Sequence, residues 1–404
     1  MRRFVEGILV IALILGALFA KPFAAGAQSS GEDITGLCVF TMPGSKKSCQ
    51  ALFDGSYRTN WAGYGKQPYR FAITLPQGTR KGGLYIRFAA EPEHLSLYTD
   101  DALALEQAGP QYAHRWLPFE GAGRLLLEML PGKDGLVISE LSVISGDAPD
   151  WVQVWEPPLS RADMLILVAH PDDELIWMGG AIPTYAGQRG MDVAVAYLTC
   201  ANPRRRSEAL NGLWVAGVRN YPRFGAFPDA NYGSLTATYK GWGGREKLLA
   251  HVTGLYRMLR PSVVLSHDLN GEYGHPAHIA CARAAADALA SARDARAFPD
   301  SAAVYGLHEV PKLYLHLYPE NQLEMDWSGP LPAFSGRTAL EVAREAFAMH
   351  RTQHAKFQVA DSGRYASTLY GLYSSLVGPD RRGDDFFENL PAPGAAARRQ
   401  EGGE

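Results

Sequence analysis

The chain has 404 residues, room for two folded units, and its 47% apolar and 20% charged content is that of a globular protein rather than a disordered or fibrous one. A net charge of −3 excludes the global basicity of a nucleic-acid binder. The four cysteines include no CxxC pair, which argues against a cysteine-built tetrahedral metal site.

The first element is "MRRFVEGILVIALILGALFA", where Arg2 and Arg3 precede an apolar run from Ile8 to Ala20, followed by small residues at Ala25 and Ala27. This pattern predicts an export signal over residues 1–27, cleaved after Ala27. The alternative is an uncleaved membrane anchor, although the run is short for a spanning helix. Cleavage removes three basic residues and one acid, so the charge of −3 becomes −5. The expected location is secreted or extracytoplasmic, with membrane contact only through this segment if it is retained. In an oxidising compartment Cys38 and Cys49 are candidates for a bridge, and Cys200 and Cys281 are either buried thiols or a second one.

From residue 30 to 148 the chain reads as short extended runs ("FAITLP", "GGLYIRFAA", "LSLYT", "RLLLEML", "GLVISELSVIS") broken by Pro, Gly and Asp. No long helical period interrupts them, which predicts an all-β sandwich. The segments "LFDGSYRTNW" and "ISELSVIS" loosely resemble those that open and close discoidin-like, galactose-binding-like sandwiches. Tyr57, Trp61, Tyr64, Tyr69 and Trp116 are either a sugar-stacking platform or packing material. Residues 149–162, with three prolines, read as a linker.

Beyond it the texture changes. "MLILVAH", "DVAVAYLTC" and "PSVVLSH" read as buried strands, and "RSEALNGLWVAGV", "REKLLAHVTGLYRMLR" and "HPAHIACARAAADALASA" as helices. Such alternation predicts an α/β domain over 163–390, a mostly parallel Rossmann-like sheet with helices on both faces. Sites in these sheets form beyond the carboxyl ends of the strands. Residues 391–404 read as a low-complexity, disordered tail.

Two turns at that edge carry chemistry. In "VAHPDDELIWMGG", His170 closes the first strand and Asp172, Asp173 and Glu174 lead into a helix. Taken alone, the acids fit helix capping as well as catalysis. In "SHDLNGEYGHPAHIA", His275 and His278 stand i, i+3 at a helix start, on one face. Two histidines and a carboxylate are a common ligand set for a catalytic zinc. A second carboxylate beside the metal has a ready task, taking a proton from water whose pKa the metal lowers.

"AHPDDE" together with "GHPAH", each in strand–loop–helix context, resembles the zinc-dependent de-N-acetylases of the PIG-L/LmbE-like family, over about 163–390. The resemblance implies metal ligands at His170, Asp173 and His278, for zinc or another divalent transition metal such as Fe²⁺. It implies a general base at Asp172, a general acid or oxyanion stabiliser at His275, and a carbonyl-polarising tyrosine at Tyr273. Arg205, in "RRRSEAL", and Asp229, in "FPDANY", match substrate-pocket positions. Ala277 departs from the pattern, since members often carry an acid there, but that position is not a ligand. The implied activity is removal of an N-acetyl group from an N-acetylglucosamine-type sugar, with the export signal pointing to a surface or extracellular glycan. The substrate is then the partner, without nucleic acid. Two alternatives stand beside it: an amidase on another acylated amino-sugar conjugate or lipid-linked sugar, and a catalytically inactive carbohydrate-binding protein.

Several residues remain open. The Arg204–Arg206 cluster suits either an anionic substrate group or a solvated turn. His267 and Asp268 are strand-end residues or orienters of a ligand. His308 and His316 read as packed histidines, His350 and His354 as a surface pair on an exposed helix, and "YGLYSSLVGPDRRGDDFFENL" as a loop covering the core near the pocket mouth.

Overall fold

The structure, a computed structural model, describes residues 31–109, 111–200, 202–381 and 384–391, with the backbone of a short strand, Ile8–Ala12. The rest of the expected export signal and residues 392–404 of the tail lie outside the described residues. The chain divides into two compact units, Met1–Trp155 and Glu156–Glu404. The break falls within the stretch read as a linker, and that stretch is packed rather than free. Val152 is buried with Tyr85 and Ile144 in the first unit, and the Glu156 N–H donates to Arg219 O at 2.9 Å in the second.

Among the described residues the first unit is built on two antiparallel sheets, one of six strands and one of five. Strand Lys81–Ala90 shows why they pack. Leu84, Ile86 and Phe88 face the core, where they meet Phe71, Ile73, Leu125 and Leu127 of the other sheet, the period-two alternation of a strand with one face in a core. The five aromatics considered as a platform do not share a surface. Trp61 is buried in this core with Tyr69 and Phe71 edge-on against it, Trp116 packs against a separate cluster, and Tyr64 is exposed. Cys38 and Cys49 are both free: the Cys38 thiol points to Ile34 O and that of Cys49 to Pro43 O.

The second unit carries the site. Its sheet contains β1 (Met164–Val168), β2 (Val193–Thr199), β3 (Arg223–Phe227), β4 (Val263–Ser266), β5 (Lys312–His316), β6 (Gln322–Glu324) and β7 (Leu369–Ser375). The order is β3-β2-β1-β4-β5-β7-β6. The pairs from β3 through β5 are parallel, whereas β7 pairs antiparallel with both β5 and β6. Every residue of β1, β2, β4 and β5 is buried, which requires cover on both faces and explains why they are apolar along most of their length. On one face Leu165, Leu167, Val264 and Leu313 pack with the helices Arg245–Leu259 and Pro276–Arg293. Strand β7 corrects the reading of the "YGLYSS" segment as a loop. Further on, Phe386 is fully buried, with its ring 4.8 Å from that of Tyr314.

Candidate active site

Four successive strand ends deliver the candidate residues. His170 lies two residues beyond β1. Pro171 stops the strand and Asp172 opens the four-residue helix α1 (Asp173–Ile176). Arg205 lies in the first turn of α2 (Pro203–Val215), which follows β2. Asp229 lies two residues past β3. Beyond β4, the loop reaches Tyr273 and then His275, which N-caps α3 (Pro276–Arg293) by accepting the Ala277 N–H on Nδ1 at 3.3 Å. His278 stands in the first turn of that helix. All eight residues singled out in the sequence line one cavity of about 160 Å³.

The donors of His170, Asp173 and His278 converge. His170 Nδ1 is 3.1 Å from Asp173 Oδ2, His278 Nε2 is 3.3 Å from Asp173 Oδ1, and the two ring nitrogens are 3.3 Å apart. Ligands about 2.0–2.1 Å from a tetrahedral zinc stand about 3.3 Å from each other, close to the 3.3 Å between the two ring nitrogens, and one Asp173 oxygen faces each ring. Two other trios bring donors within 4.8 Å, His170–His275–His278 and Asp173–His267–His278. The second is blocked, because His267 Nε2 already accepts the Ala169 N–H at 3.0 Å. The Asp173 carboxylate is further fixed by the His170 N–H at 2.7 Å and the Trp177 indole N–H at 3.0 Å.

Burial works against every charge here, and neighbours decide the outcome. Burial and the adjacent Asp173 carboxylate push Asp172 well above the usual carboxylate range, against the pull of Arg205. For Asp173 burial is outweighed by His278, His267 and His170, which hold it well below that range. Burial, with His278 and His170 nearby, depresses His275 to about 3. His278 is raised to about 10 because the Asp173 and Glu272 carboxylates outweigh its burial.

Arg205 faces the acids. It donates to Asp172 Oδ1 at 2.9 Å, to Pro171 O at 2.8 Å and to Asp229 Oδ2 at 2.9 Å. Arg204 pairs with Glu208 at 3.4 Å. Both arginines thus pair with internal carboxylates, and Arg205 also lines the cavity. Tyr273 is 46% exposed and its ring stacks 5.9 Å from Phe357.

Three residues escaped the sequence reading. Glu272 is buried and accepts from His278, His267 and His316, although it stood in plain view inside "GEYGHPAH". Gln353 and Phe357 line the cavity from the segment after helix Ala339–Ala348, and no motif marked them. His350 corrects the expected exposed helical pair. The helix ends at Ala348, and His350 is fully buried with Nε2 3.5 Å from Glu174 Oε1.

Residues 165–289 match the family profile described as GlcNAc-PI de-N-acetylase, PIG-L. The chain is 30% identical over 193 residues to 1D-myo-inositol 2-acetamido-2-deoxy-alpha-D-glucopyranoside deacetylase 1 of Catenulispora acidiphila, covering 41% of this chain and 59% of the relative. It is 28% identical over 299 residues to the deacetylase of the same description from Rhodococcus jostii, covering 61% of this chain and 96% of that one. Among solved structures, N,N'-diacetylchitobiose deacetylase from Pyrococcus horikoshii aligns at 19% identity and a TM-score of 0.35, over 48% of this chain and 72% of that one.

Proposed function

We propose that the second unit is a metal-dependent N-deacetylase that hydrolyses the acetamide of an N-acetylglucosamine-type sugar. The observation that carries this reading is the convergence of donor atoms from His170, Asp173 and His278, with the Arg205-held Asp172 carboxylate beside it. The profile match and the deacetylase relatives support the same reaction, and the parallel order β3-β2-β1-β4-β5 supports the Rossmann-like class.

His170, Asp173 and His278 would hold a divalent ion such as zinc, which would supply Lewis acidity to the amide carbonyl and acidify water. Asp172 accepts the proton of the attacking water, as a general base within reach of the donor atoms does. Arg205 holds Asp172 in place from Oδ1 and leaves Oδ2 for the proton. Tyr273 and His275, which line the same cavity, are assigned in this reading to stabilising the negative charge that develops on the carbonyl oxygen. Because burial depresses His275 to about 3, the leaving amine takes its proton from protonated Asp172. Asp229, bound to Arg205 and 3.9 Å from His170 Nε2, steadies the far side of the ligand ring. The Arg2–Arg3 pair ahead of an apolar run supports an exported enzyme acting on a glycan outside the cytoplasm.

The test is acetate release from N-acetylglucosamine, chitooligosaccharides, peptidoglycan fragments and lipid-linked amino sugars, with and without chelator, alongside metal analysis. The reading predicts one bound metal per chain and chelator-sensitive release from at least one class. A chain without stoichiometric metal that releases no acetate defeats it.

A further inference from the structure

The loop from β4 to α3 turns on Gly271, Glu272 and Gly274, at φ of 72°, 54° and 87°. Glycine adopts that conformation freely, whereas a glutamate pays for it. At the one strained position of the three, the chain keeps a long charged side chain and buries it completely.

What the carboxylate meets there accounts for it. Oε2 is 2.7 Å from His278 Nδ1. Oε1 is 3.1 Å from His316 Nδ1 and accepts the Asp268 N–H at 3.0 Å, and both oxygens lie 3.2 Å from His267 Nδ1. Four donors match the roughly four lone-pair sites of an ionised carboxylate. Burial would raise the Glu272 carboxyl, but the surrounding imidazoles hold it well below the usual range.

Each bond fixes a ring. On His267, Nε2 accepts the Ala169 N–H, so its proton is on Nδ1, toward Glu272. On His316, Nδ1 faces Glu272 and Nε2 faces Ala366 O at 3.0 Å, so both ring nitrogens have a partner and the ring is held from both sides. On His278, a proton on Nδ1 leaves the Nε2 lone pair aimed into the donor triangle. One carboxylate thus ties the ends of β1, β4 and β5 together.

We propose that Glu272 is a positioning residue for the metal centre. It locks His278 as the Nδ1–H tautomer with Nε2 presented to the ion, and through His267 it fixes the backbone that carries His170. This rests on the metal-centre reading above. Outer carboxylates of this kind are worth roughly 10- to 100-fold in metal affinity.

The experiment compares full-length wild type with Glu272→Gln and Glu272→Gly, stripped of metal and titrated with zinc against a chromophoric chelator. Glutamine offers one acceptor oxygen and turns an N–H₂ toward donors, and glycine relieves the backbone while removing the carboxylate. Both variants should bind zinc roughly 10- to 100-fold more weakly. Ring ¹⁵N spectra of zinc-loaded wild type should show His278 protonated on Nδ1, a readout that needs no variant. Zinc binding in folded variants equal to wild type, or His278 lacking a proton on Nδ1, overturns the proposal and leaves the metal reading standing. Wild type that takes up no zinc overturns both.

Discussion

Glu174 holds Asp172 by its backbone: the Asp172 N–H donates to Glu174 Oε2 at 2.8 Å, while Asp172 sits at φ 127°. A non-glycine residue at that angle is strained and persists only where its surroundings pin it. Glu174 is itself fully buried, with His350 on its other oxygen. The third acid of "HPDDE" therefore keeps the second in its place. Glu174→Ala should leave a buried N–H unpaired, a loss of roughly 1–3 kcal/mol, and lower kcat roughly ten- to a hundredfold. Metal content should stay at the wild-type level, and Glu174→Gln, which keeps an acceptor, should fall between the two. Acetate-release kinetics and metal analysis on the same preparations check this; unchanged kcat in the alanine variant would sink it.

Asp172 and Asp173 are neighbours with separable tasks. Asp172→Asn removes the proton acceptor but keeps a hydrogen bond for Arg205, so metal should remain bound while kcat drops by roughly 10²–10⁴, the range for general base catalysis. Asp173→Ala removes one corner of the donor triangle, and bound metal should be lost with the activity. Metal stoichiometry separates the two. A metal-free Asp172→Asn chain contradicts the assignment.

The parts of this site that lie on strand ends were legible in the sequence, because buried parallel strands announce themselves as apolar runs. His170 and Asp173 follow one such run, and His275 and His278 follow another. What stayed hidden depended on long-range pairing. Glu272 sits beside Tyr273, but its meaning comes from His316 on β5, 44 residues away in sequence. His350 looked like an exposed helical residue because "MHRTQHAKF" continues a helical period. The helix in fact stops at Ala348, and tertiary packing then buries the ring. The short strand β3, "RFGAF", was missed because it is brief, only partly buried and interrupted by glycine. Arg205 was placed in the pocket, but that it spends its donors on two aspartates was visible only in three dimensions.

In the first unit, burial pushes the Glu140 carboxyl up to about 7, against Arg87 and with Asp54 adding to the rise. An unfolded glutamate titrates near about 4.3. The folded state therefore holds this proton more tightly than the unfolded one. The stabilisation is complete below about 4.3 and is lost as the pH climbs through about 7. Amide protection along Leu136–Ser145, measured by hydrogen exchange in the full chain and corrected for intrinsic rates, should fall between about pH 5 and 7.5. Glu140→Gln, neutral throughout, should flatten that slope. An equal slope in both proteins rules out Glu140 as its source.

Lys312 opens β5 as a charged residue in a strand whose every position is buried. Its ammonium donates to Asp380 Oδ1 at 2.6 Å and Oδ2 at 2.8 Å, to Phe386 O at 3.3 Å and to Glu388 O, and neither side chain of the ion pair is exposed. A buried pair gains little over an apolar replacement, but removing one partner strands the other's charge. Lys312→Met should therefore destabilise the second unit by about 3–5 kcal/mol, leaving Asp380 and two carbonyls without their donor. The double variant Lys312→Met with Asp380→Leu should recover part of that loss, because no charge is left behind. The double variant also lacks the hydrogen bonds from the Lys312 ammonium to the Phe386 and Glu388 carbonyls, so recovery should be incomplete. Urea unfolding of the three proteins measures both steps. Equal stability of the single variant and wild type would mean that this ammonium does not hold the C-terminal segment against β5.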